Sequence, residues 1–155
     1  ASIPAGSGVV VNSHDDVEIF GNRIRDNRTA NIIISSVYAS NYAEDGWSEN
    51  FDPYPERIFI HDNELAGGGD RPDGLDLKAL KIATFGLNGR LPHVLWDGFA
   101  PEARDPEICV GDDTDVINVD LPGGSEAITV SRAPFACTLA PLEPVKLARR
   151  AGPGR

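Results

Sequence analysis

The chain has no run of the roughly 20 apolar residues that a helix needs to cross a bilayer, and its first residues lack the basic-then-apolar order of a signal peptide. Bases are also scarce, with 14 Lys and Arg against 24 Asp and Glu and a net charge of −10. Four of those bases, Lys146, Arg149, Arg150 and Arg155, fall in the last ten residues, which hold no acid. The remaining 145 residues therefore repel a phosphate backbone, so nucleic acid is a poor partner. The stretch "KLARRAGPGR", 146–155, reads as a flexible basic tail because its Gly and Pro content opposes regular structure. The opening "ASIPAGSGVVV" has no initiating Met and fits either a processed mature protein or a piece of a longer one.

Cysteine is nearly absent as well. Cys109 and Cys137 form no CxxC, CxxCH or Cys/His cluster, which leaves zinc, haem attachment and thioredoxin-like chemistry without support. A single disulfide between them is the preferred reading, the alternative being two unrelated buried thiols. The disulfide implies an extracytoplasmic protein, periplasmic or secreted.

What is present is 41% apolar and 25% charged, enough for one folded domain, with 16 Gly and 12 Pro pointing to many turns. Short Val/Ile-rich runs predict strands at 8–11, 17–20, 31–36, 57–60, 94–96, 116–121 and 127–130. Residues 75–87 fit a helix by propensity and a strand by alternation equally well. Two of the runs repeat: setting Asn22 on Asn63 also sets Val17, Ile19 and Ile24 on Ile58, Ile60 and Leu65. Val9 and Ile32 are 23 residues apart and Val17 and Ile58 are 41 apart, so both intervals reduce to one repeat if 38–55, "YASNYAEDGWSENFDPYP", is an insertion. A repeat of this length built from short strands predicts a solenoid in which like residues stack, amide on amide and aliphatic on aliphatic.

The pattern V-x-I-x-x-N-x-I, present as "VEIFGNRI" and "IFIHDNEL", resembles the repeat of right-handed parallel β-helix proteins, a group that includes pectate lyases, polygalacturonases and alginate epimerases. The runs "FDPYPERIFIHDNEL", "LPHVLWDGF" and "ICVGDDTDVINVDL" resemble the carboxy-terminal part of secreted bacterial β-helix proteins of unassigned activity. The resemblance implies an all-β right-handed parallel β-helix, the last three or four coils of a longer one. Residues 1–100 would form the coils with the 38–55 loop, and 101–145 an irregular closing segment. It also implies upstream coils, or a partner chain that covers the apolar first coil at Val9 to Val11.

For function the expectation is a secreted module that binds carbohydrate or a protein partner. The alternatives are a fragment of a polysaccharide lyase, epimerase or hydrolase, and a subunit of an extracytoplasmic assembly. No catalytic residue is assigned. Adjacent Asp15 and Asp16 lack the other motifs of polygalacturonases and read as a turn. His61 reads as a solvated corner histidine, and Arg23, Arg25 and Arg28 as a charge ladder around Asp26. No cofactor is expected, and calcium is the one metal worth testing, at Asp112, Asp113 and Asp115 or at Asp70, Asp73 and Asp76. Tyr42, Trp47, Phe51 and Tyr54 in the 38–55 excursion are the candidate binding residues, since aromatic faces stack on the C–H faces of sugar rings. The competing reading has these rings fold back over the outer wall.

Overall fold

The computed structural model describes residues 3–40, 47–111, 113–124 and 127–146. Its strands are β1 (Ser7–Asn12), β2 (Asp15–Phe20), β3 (Arg23–Arg25), β4 (Ala30–Ser35), β5 (Glu56–His61), β6 (Glu64–Ala66), β7 (Val94–Trp96), β8 (Ile108–Val110), β9 (Val116–Asn118) and β10 (Thr129–Ser131). One α-helix, α1, spans Leu75–Phe85. The strands form three sheets, ordered β1-β4-β7-β9-β10, β2-β5-β8 and β3-β6.

The register follows the repeat. Val9 faces Ile32, Val17 faces Ile58, Ile19 faces Ile60 and Ile24 faces Leu65, all in parallel pairs. Ile32, Ile34, Ile58, Ile60, Val94 and Val116 are fully buried in the core enclosed by the sheets. Kinks recur in register too: Asp16 and Arg57, the second residues of β2 and β5, and Glu107, just before β8, all have positive φ. Such a conformation is unfavourable for non-glycine residues and persists because the flanking ladders determine it.

The Asn22 and Asn63 amides meet. Asn63 Oδ1 accepts from the backbone N–H of Asn22 at 3.1 Å and from its Nδ2 at 3.2 Å, while Asn63 Nδ2 donates to the carbonyls of Ile19 and His61. Because Asn63 is half-buried and serves both neighbours, Asn63→Ala is expected to cost about 2 kcal/mol in urea unfolding. Asn22→Ala, at an exposed position with fewer bonds, should cost less.

The expected all-β right-handed parallel β-helix is corrected: the chain is of mixed α/β type, with parallel and antiparallel strands. Two features overturn it. Residues 75–85 are helical because Leu, Lys and Ala are strong helix formers and Gly74 and Gly86, both at positive φ, bound them. The helical period turns Leu77, Leu80 and Phe85 toward Ile33, Leu95 and Ile117, leaving Leu75 at 82% exposure and Ile82 at 45%. The alternation that suggested a strand thus splits between two helix faces. The second feature is β10, which pairs antiparallel with β9 because the turn at 120–124, with Gly123 and Gly124 donating to the Asp120 carbonyl, reverses the chain. Strands β3, β6 and β8 lie outside the expected strand runs, although Ile24 of β3 and Leu65 of β6 belong to the repeat.

Gly69 is buried at a close approach that links successive turns. Its N–H donates to Asn27 O at 3.0 Å and its carbonyl accepts from Leu91 N at 2.9 Å, and an added Cβ would meet Leu91 O at 2.4 Å. With φ at +69°, the position strongly favours glycine.

Candidate functional site

The site grows from the corner after β4. Ser36 is fully buried: its N–H donates to Asp97 Oδ2 at 2.6 Å and its hydroxyl to the Pro53 carbonyl at 2.8 Å. Ser13 donates to the same carbonyl at 2.6 Å and accepts from Val37 N at 2.8 Å. The two hydroxyls pin the returning end of the 38–55 excursion to its base. The chain turns into a short 3-10 segment, Val37–Ser40, which presents Tyr38. Asp97 Oδ1 accepts from Phe99 N at 3.1 Å and so sets the backbone beneath Phe99.

Five rings gather on this frame. Tyr38 lies 5.8 Å from Trp47, 5.8 Å from Tyr54 and 5.5 Å from Phe99 between ring centroids, and Trp47 lies 5.0 Å from Phe51. All four contacts are tilted, within the range where aromatic pairs attract. Phe51 and Tyr38 are exposed and the others are half-buried. Burial, with Tyr38 as the next contributor, pushes the Tyr54 phenol up. Three of the four candidate binding residues, Trp47, Phe51 and Tyr54, are therefore brought together, while Tyr42 lies outside the described residues. Tyr38, which opens the same excursion, and Phe99 complete the group; Phe99 was missed because only the fold brings position 99 beside the excursion.

Beside the rings lies a charged cluster. Glu56, which opens β5 and is buried, is held by a two-point ion pair with Arg104, which also reaches Asp52 at 3.2 Å. The Arg104 bond holds the Glu56 carboxyl below its usual range despite burial. Arg57 grips Asp16 through Nε at 2.6 Å and Nη2 at 2.8 Å, which lowers Asp16, and lies 3.5 Å from Asp15. Burial, then the Asp52 charge, raises Asp15. Oxygens of Asp15, Asp52 and Glu56 lie within 4.8 Å of one another, a grouping a cation could use. Calcium takes six to eight oxygens, and Arg104 already pairs with both Glu56 and Asp52. Loss of Arg104 would strand a buried carboxylate, so Arg104→Ala should lower the urea midpoint and a further Glu56→Gln should restore most of it.

The other expected sites disperse. Asp73 accepts from Ala5 N at 3.1 Å, Asp70 lies 3.4 Å from Arg71 and Asp76 sits in the first turn of α1. Asp113 pairs with Arg132, and Asp112 lies outside the described residues. The charge ladder centres on Glu64, 3.0 Å from Arg23 and 3.7 Å from Arg25, rather than on Asp26. His61 is more than a solvated corner: its ring stacks between Phe20 and Phe59 and bonds Glu18 at 2.9 Å and Asp62 at 2.7 Å, which raises its pKa, Asp62 first.

Cys109 and Cys137 are joined in a disulfide, compatible with an extracytoplasmic protein, and among the described residues no helix is long and apolar enough to cross a membrane. No protein-family model, curated protein or solved structure matches this chain.

Proposed function

We propose that the chain is a periplasmic or secreted carbohydrate-binding module that takes a neutral polysaccharide on the Tyr38, Trp47, Phe51, Tyr54 and Phe99 surface. The observation that carries this reading is the convergence of five rings from three separated stretches onto a hydrogen-bonded frame, with two of them exposed. Tilted aromatic faces of this kind complement the C–H faces of pyranose rings. Asp52 and Asp15 at the margin supply acceptors for sugar hydroxyls. Arg57 and Arg104 are both engaged by carboxylates, so little positive charge is left to draw an acidic sugar, and the net charge of −10 opposes one.

Affinity electrophoresis against a panel of soluble neutral glycans tests the proposal. At least one glycan should retard the native chain, and Trp47→Ala should weaken that binding about 10-fold or more, as for removal of an aromatic anchor, with the unfolding midpoint little changed. No retardation by any neutral glycan, or equal retardation of the variant, would overturn it.

A further inference from the structure

A second surface feature lies on the outer face of the five-stranded sheet. Along these strands the side chains alternate: Val11, Ile34 and Trp96 point into the core, while Val10, Ile33 and Leu95 point outward beneath α1. Past the last outward aliphatics the same face carries Asn12, Ser35 and Asp97. Asn12 faces Ser35 in register, and Asp97, whose N–H donates to Ile34 O at 3.2 Å, lies beside Ser35 on the next strand. Here the first turn of α1 and the sheet line a cleft of about 410 Å³, within the range of small-molecule sites. Its walls are mainly apolar, including Ile33, Leu77, Leu95, Val119 and Leu121.

The charged groups lining this cleft carry one sign. Asp73, Asp76 and Asp97 line it, and no Lys, Arg or His is among its lining residues. Asp97 is 3% exposed, and among the described residues it forms no ion pair. The contrast is with Glu56, equally buried but matched by Arg104. Each Asp97 oxygen accepts one backbone N–H, from Ser36 and from Phe99. A carboxylate offers about four lone-pair positions, so acceptor capacity remains. A buried charge without a counter-charge is unfavourable, and a cation entering the cleft would relieve that penalty.

We propose that this cleft binds a primary amine carried on an apolar body, with the Asp97 carboxylate as its counter-ion and the aliphatic walls holding the body. Asn12 and Ser35 bond each other at 2.9 Å and fix the polar end of the floor. A carboxylic acid of the same shape is rejected by three aspartates, and an alcohol gains the apolar contact but not the ion pair. Burial lifts Asp97 to about 6, so it is ionised and ready to pair at pH 7.5.

Titration of the full chain at pH 7.5 with n-octylamine, 1-octanol and octanoate tests this, followed by calorimetry and by the methyl resonances of Leu77, Leu95 and Val119. The amine should bind saturably, at least 10-fold more tightly than the alcohol and about 100-fold more tightly than the acid, with shifts concentrated at those methyls. In D97N the amine should fall to the level of the alcohol. Should D97N not fold, the ranking and the site of the shifts in the native chain decide the matter. Equal binding of amine and alcohol, no saturable amine binding, or shifts away from these methyls would overturn the proposal.

Discussion

Replacing Cys109 and Cys137 together by Ser should lower the unfolding free energy by about 3.5 kcal/mol, the loop-entropy value for a bridge closing 28 residues. The bridge ties β8, whose Cys109 is buried, to the segment after β10. Among the described residues that segment has few other anchors. Phe135 packs edge-on against Trp96 at 5.8 Å, and Leu142 N donates to Glu18 Oε2 at 3.0 Å. Without the bridge the stretch 133–146 should detach before the sheets open. The native chain in reducing agent should show the same loss in urea unfolding, with hydrogen exchange rising first at 135–142. A double variant within 1 kcal/mol of the native chain would show that packing alone holds the segment.

Lowering the pH from 7.5 to 5 should stabilise the fold by about 1.4 kcal/mol through Asp97 alone. Burial raises this carboxyl from an ordinary 3.8 to about 6, against the smaller lowering effect of the Ser36 and Phe99 N–H bonds. The folded chain then holds a proton that the unfolded chain has released, so stability rises as pH falls through 6. At pH 7.5 the ionised group costs the fold about 3 kcal/mol relative to the fully protonated state. His61, raised by Asp62 and Glu18, acts in the same direction. His93, lowered by burial, acts oppositely below 6.5, because the unfolded ring takes the proton more readily. Asp16, Glu18 and Glu56 are lowered by Arg57, His61 and Arg104, so their contribution is present above their ordinary values of 3.8 to 4.5 and is lost as pH falls further. Maximum stability should lie between about pH 4.5 and 6. Urea midpoints from pH 7.5 to 5 check this, and D97N should flatten the slope. An unchanged slope in D97N would assign the effect elsewhere.

The amino-acid sequence by itself determined which residues stack. The repeated amide and its aliphatic neighbours predict Val17 on Ile58, Ile19 on Ile60 and Asn22 on Asn63, and these are the pairs in the ladders. Register is legible because a one-residue slip would turn every buried Ile outward. The stretch around Trp47, Phe51 and Tyr54 also announces itself as an aperiodic aromatic excursion. Only the tertiary structure decided the class, since Leu75–Phe85 satisfies helix and strand patterns alike until it packs on Ile33 and Leu95. The direction of β10 depended on the turn before it. Tertiary structure likewise set Phe99 against the rings of the excursion and left Asp97 buried with no ion pair among the described residues. Local pattern records what neighbours along the chain prefer, whereas burial and ring clustering depend on which distant segments the fold sets side by side.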